Sequence, residues 1–148
     1  MNTTLQDKLQ KMMEDKRLLA LSKQLTSFEC IRTVQTNEFP PSITGAIEIA
    51  NNNSTPRNSR ISCNEQIVAR LEWVREIFIT SGIGEDHFYL STGLRFYPWI
   101  EVKTLNDEWV RNLNDISRSD FYAISSKEEV FLAVANEEHW LDAYWCDL

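Results

Sequence analysis

The chain has 148 residues, 43% of them hydrophobic, with five Trp, four Tyr and seven Phe. That is enough apolar material for one compact domain and too much for a wholly disordered chain. Against 22 Asp and Glu stand 15 Lys and Arg, a net charge of −7. The balance argues against a general DNA or RNA binder, which must cover phosphates with clustered cations.

Residues 4–26 read as a helix. Leu5, Leu9, Met12, Met13 and Leu19 share one face, with charged residues between them. Leu18, Leu21 and Leu25 recur at helical spacing on nearly the opposite side, so the helix is either buried more fully towards its end or broken near Ala20. Thr3 and Gln6 suit a capping box. The stripe is too short for a sustained coiled coil, which favours packing on the domain over pairing with another chain.

Cys30 to Val34 reads as a short strand, and Phe39-Pro40-Pro41 interrupts regular structure. Ile43 to Ala50 fits a strand or a short helix. Residues 51–61 are almost wholly polar and are expected to form a mobile surface loop. Ser62-Cys63-Asn64-Glu65 matches S-x-x-E, a capping box for the helix whose apolar face is Ile67, Leu71, Val74 and Phe78. Gly82 is its stop signal.

From His87 the period shifts towards two. Phe88-Tyr89-Leu90 is a strand, Thr92-Gly93 a turn, and Leu94 to Val102 the return strand, with an edge or bulge at Pro98. Asn106-Asp107-Glu108 opens a short helix striped by Leu105, Trp109, Leu113 and Ile116. Phe121–Ser125 and Val130–Ala135 form a hairpin, and the continuous apolar run of the second strand places it inside a sheet. Trp140, Leu141, Tyr144, Trp145 and Leu148 fall at helical spacing behind Asn136, which predicts a final helix. The sum is a single α+β domain over residues 1–148, an antiparallel sheet of about four or five strands packed with three to four helices.

The charge is unevenly placed. Residues 1–98 hold 11 bases and 11 acids, while residues 99–148 hold Lys103, Arg111, Arg118 and Lys127 against 11 acids. The same third contains Trp99, Trp109, Trp140 and Trp145. Acids with aromatic anchors suit a docking face for a cationic protein, since charge orients encounter and desolvated rings supply affinity. The plainer alternative is that the rings are core and the acids a solvated face.

No catalytic pattern stands out. His87 and His139 are the two histidines, the H-E-x-x-H spacing is absent, and no cysteine pair has metal-ligand spacing, so no metal site, cofactor or catalytic residue is expected. Adjacent acids such as Asp107 and Glu108 suit helix starts and turns better than acid–base catalysis. Cys63, near a helix start, could be an activated thiol only if His87 or His139 reached it. No apolar run approaches the ~18 residues of a membrane span. Met1-Asn2-Thr3-Thr4 lacks a signal-peptide layout, and three widely spaced cysteines suit free thiols, so a cytoplasmic setting is expected.

The segment Tyr97-Pro98-Trp99-Ile100-Glu101-Val102, followed by Trp109, Asp120-Phe121-Tyr122-Ala123-Ile124 and Val130 to Ala135, resembles the immunity proteins of bacterial toxin–immunity systems, including those of contact-dependent growth inhibition. The resemblance covers about the last 50 residues. It implies a stoichiometric inhibitor that binds a cognate toxin domain, typically a basic nuclease, and blocks its active site. No catalytic residue is implied, nor a nucleic acid or membrane partner. The expected docking residues are Asp107, Glu108, Glu128, Glu129, Glu137, Glu138, Asp142, Trp140 and Trp145. The alternatives are a small enzyme with an unrecognised carboxylate or thiol site, and a regulatory module that self-associates through residues 4–26.

Overall fold

A seven-stranded antiparallel sheet organises the chain. The structure, a computed structural model, describes residues 4–148 except Asn53. In chain order the elements are α1 (Leu5–Gln24), β1 (Phe28–Val34), a 3-10 turn (Thr36–Glu38), α2 (Ser42–Ala50), β2 (Ser59–Ser62), α3 (Ile67–Ser81), β3 (His87–Ser91), β4 (Trp99–Thr104), α4 (Trp109–Ser117), β5 (Phe121–Ser125), β6 (Val130–Asn136) and β7 (Trp140–Asp147). The strands lie in the order β1-β4-β3-β5-β6-β7-β2. The class is α+β with four helices, as the sequence predicts, but the sheet has more strands than expected. Among the described residues no helix is long and apolar enough to cross a membrane.

Period-two alternation divides the side chains between two cores. Phe88, Leu90, Ile100, Val102, Ala123, Leu132, Val134, Leu141 and Ala143 point to one face, where α3 and α4 cover them with Val74, Ile77, Phe78, Trp109 and Leu113. Tyr89, Trp99, Ile124, Phe131 and Ala133 point to the other, where α2 contributes Ile43, Ala46 and Ala50. Both faces of β6 are therefore covered, which explains its unbroken apolar run. Gly82 closes α3 in the left-handed region at φ 95°, where an L side chain is strained.

Four expectations are corrected. The predicted last helix is β7, paired along its length with β6. Its aromatic spacing also satisfies alternation, with Leu141 and Ala143 towards the α3 side and Tyr144 and Cys146 towards α2. Residues 59–61, expected in the loop, form with Ser62 the edge strand β2 against β7. Ser62 therefore ends a strand and does not cap a helix: its Oγ accepts from the Asn64 N–H, and α3 starts later behind Gln66. The return strand of the first hairpin begins only at Trp99, because Leu94 to Pro98 is folded into a loop closed by the Thr92 N–H on the Pro98 carbonyl at 3.0 Å.

The first helix is also turned over relative to expectation. Leu18, Leu21 and Leu25 face the domain, while Leu5, Leu9, Met12, Met13 and Leu19 are exposed. Its anchor is polar: buried Glu14 accepts from the Phe96 N–H at 2.8 Å and from Gln10, Asp7 pairs with Arg95, and the Tyr97 hydroxyl donates to Asp15. The N-cap is Thr4, whose Oγ1 accepts from the Asp7 N–H at 3.0 Å. The predicted cap Thr3 lies outside the described residues.

Candidate docking surface

The antiparallel order fixes which loops are neighbours. Thr104 ends β4 where His87 begins β3, Ser125 lies opposite Phe88, and Val130 lies opposite Asp147. The loops 84–86, 105–108 and 126–129 and the end of β7 therefore share one end of the sheet. They carry Glu85, Asp86, Asp107, Glu108, Glu128, Glu129 and Asp147.

Local chemistry pins each loop. The Thr104 N–H and hydroxyl bond the carbonyls of Asp86 and Glu85 at 2.9 and 2.8 Å. Asn106 Oδ1 accepts from the Glu108 N–H at 3.0 Å, a turn that displays Asp107 just before α4. The Arg75 guanidinium joins three elements: it pairs with Glu85 at 2.6 Å, donates to the Asp107 carbonyl at 2.8 Å and lies 5.7 Å from the centre of the Trp109 ring. Ser125 Oγ accepts the N–H groups of Glu129 and Val130, both at 3.0 Å, while Glu128 takes φ 60° at the tip. The Leu148 N–H closes on the Glu129 carbonyl at 2.8 Å.

These bonds use backbone groups and leave most of the side chains free. Among the described residues, the carboxylates of Asp86, Asp107, Glu128, Glu129 and Asp147 enter no salt bridge. Glu108 lies 3.7 Å from Arg111, an exposed pair of little energetic weight. Leu105, 60% exposed, is the apolar side chain among them. Arg111, Lys103 and Lys127 are the exposed cations near them and are outnumbered. A shallow hollow of about 260 Å³ runs between Arg75, Glu85, Asp86, Leu105 and Asp107.

The structure divides the predicted docking set. Asp107, Glu108, Glu128 and Glu129 come together at this end, while Glu137 and Glu138 occupy the β6–β7 turn at the opposite end. Trp140 begins β7 beside them, 42% exposed, with the Arg60 guanidinium 5.3 Å from its ring centre. Asp142 is buried and holds Arg60 through contacts of 2.6 and 3.2 Å. Trp145 is half-buried and packs on the α3-side core. Trp99 and Trp109 are buried. The rings and the acids do not form one surface.

Sequence reasoning missed a polar cluster on the α2 side of the sheet, beyond the reach of α2. Buried Glu101 accepts from Arg32 Nε at 2.8 Å and faces His87 Nε2 at 2.6 Å. Burial, with Glu101 and Glu128 nearby, pushes the Tyr89 hydroxyl above its ordinary pKa. No local pattern announces this cluster, because Arg32 and Glu101 meet only through the β1–β4 pairing. Cys63 sits at the other end of the sheet from His87: its N–H bonds the His139 carbonyl, and its thiol the Glu137 carbonyl at 3.4 Å. Among the described residues no group of three His, Cys, Asp or Glu is placed to hold a metal ion.

Comparison with protein-family models, with curated proteins and with solved structures finds no match to this chain.

Proposed function

We propose that this chain is an inhibitory binding protein whose acidic sheet end docks on a cationic protein domain and blocks it. The observation that carries the reading is the set of carboxylates at Asp86, Asp107, Glu128, Glu129 and Asp147 left without salt bridges on loops, and a strand end, held by hydrogen bonds to the backbone. Like charges gathered at one end of the sheet repel one another, and a cationic ligand would relieve that repulsion. The loops are fixed before binding, which reduces the ordering cost on association. Negative charge on a rigid edge matches the cleft of an enzyme that binds phosphate-bearing substrates, and occupying that cleft excludes the substrate.

The resemblance to toxin-immunity proteins supplies the class of partner: a toxin domain, with a basic nuclease as the expected target, in the cytoplasm. Leu105 takes the anchoring role first given to the indoles. The reading has no catalytic step.

The test is a titration of the chain against the C-terminal domain of the protein encoded directly upstream of it, with nucleic-acid cleavage as the readout. Cleavage should fall to zero at one equivalent. Undiminished cleavage at excess chain overturns the proposal.

A further inference from the structure

On α1 the spacing of Leu5, Leu9, Met12, Lys16, Leu19 and Lys23 is four, three, four, three, four. That is the a/d seam of a heptad repeat, narrower than the broad stripe of a helix lying on a core or a membrane surface. The four apolar members are between 52% and 74% exposed, and Met13 beside them is 53% exposed. Other large apolar side chains at the surface, such as Ile31, Ile49 and Ile79, are scattered singly. An apolar strip of this kind, interrupted by Lys16, marks an interaction surface.

Charge selects the occupant. The three acids of α1, Asp7, Glu14 and Asp15, are held by Arg95, Phe96 and Tyr97 on the domain side. The outward side retains Lys8, Lys16 and Lys23, all exposed. A second copy would set lysine against lysine in parallel register, and Lys23 against Leu5 and Lys16 against Met12 in antiparallel register; neither neutralises the lysines, which disfavours self-pairing. A lipid surface fits poorly, because Lys16 and Lys23 interrupt the apolar line and leave it narrower than the broad apolar face, with Trp or Phe, of an interfacial helix. An amphipathic helix with Leu-type a/d residues and flanking Glu satisfies both the seam and the lysines. We propose that the outward face of α1 binds an acidic amphipathic helix of a partner protein, in a short two-helix coiled coil. At 20 residues, α1 offers a seam about 30 Å long. This proposal does not rest on the acidic sheet end, which is a different surface.

The experiment uses the full chain and two synthetic 21-residue peptides with Leu at a and d. One carries Glu at the flanking positions and the other Lys. Fluorescence anisotropy should show the Glu peptide binding at least about tenfold more tightly. Leu9→Glu with Met12→Glu, both at exposed positions, should abolish that binding with the circular dichroism spectrum unchanged. Lys16→Glu with Lys23→Glu should reverse the preference between the peptides. Equal affinity for the two peptides, no binding, or binding unaffected by Leu9→Glu with Met12→Glu overturns the proposal. So does concentration-dependent dimerisation, or tighter binding to phosphatidylcholine–phosphatidylserine vesicles than to the Glu peptide.

Discussion

Two sets of loops, at opposite ends of the sheet, use acidic side chains in opposite ways. Around the β3–β4 loop, at the end where β1 finishes, carboxylates serve the fold: Glu14 receives the Phe96 N–H, Asp7 holds Arg95 and Asp15 receives the Tyr97 hydroxyl. At the end where β4 finishes, Asp86, Asp107, Glu128 and Glu129 on pinned loops, and Asp147 at the end of β7, stand without a salt bridge. Net charge alone does not distinguish these groups. The distinction is whether the carboxylate or only the backbone beside it takes part in the structure, and only the second kind remains for a partner.

Replacing Asp107, Glu108, Glu128 and Glu129 together by Lys attacks the contrast most directly. Association with a cationic partner should slow by about a hundredfold at low salt. The melting temperature should change little, as surface substitutions contribute within about 0.5 kcal/mol each. Asp142→Ala should do the reverse. It leaves Arg60 without its carboxylate and should lower stability by about 1–2 kcal/mol in urea unfolding, with the association rate unchanged.

A smaller effect concerns Glu14. Burial works to raise its pKa, but hydrogen bonds from Gln10 and from the Phe96 and Arg95 backbone outweigh it and hold the carboxyl below the ordinary value. A depressed native pKa contributes stability above the unfolded value, and the contribution disappears as pH falls through the native one. Glu14→Gln should therefore lower the urea midpoint at neutral pH, and its difference from the unaltered chain should shrink on acidification through the carboxylate range. Glu137→Lys with Glu138→Lys, on the exposed turn at the opposite end, should change association least, by less than about twofold. A large effect there would move the docking surface to the wrong end of the sheet.

Much of the fold was legible where one period dominates. The α3 stripe with Gly82, the β5–β6 hairpin and the interior position of β6 follow from spacing and from runs that only two-sided burial supports. The β7 segment was misread because its aromatics fit both periods, and pairing with β6 decided between them. β2 was unreadable because Ser59-Arg60-Ile61-Ser62 has no strand character of its own and exists by pairing with β7. On α1 both stripes were visible, but choosing the buried one required knowing that the loop carrying Phe96 receives Glu14. For the docking set, the sequence located the charge downstream of Pro98 and could not divide it. Glu128 and Glu137 are one strand apart in the chain and at opposite ends of that strand in space. Arg75, which fastens two of the acidic loops, carried no sequence signal.

The decisive measurement is the stopped-flow association rate between this chain and the C-terminal domain encoded upstream that is proposed as its target, at about 20 and about 300 mM salt. The unaltered chain should associate at least about tenfold faster at low salt, and the fourfold Lys variant should lose both the speed and the salt dependence. Equal rates for the two proteins at both salt concentrations would contradict a docking role for the acidic end.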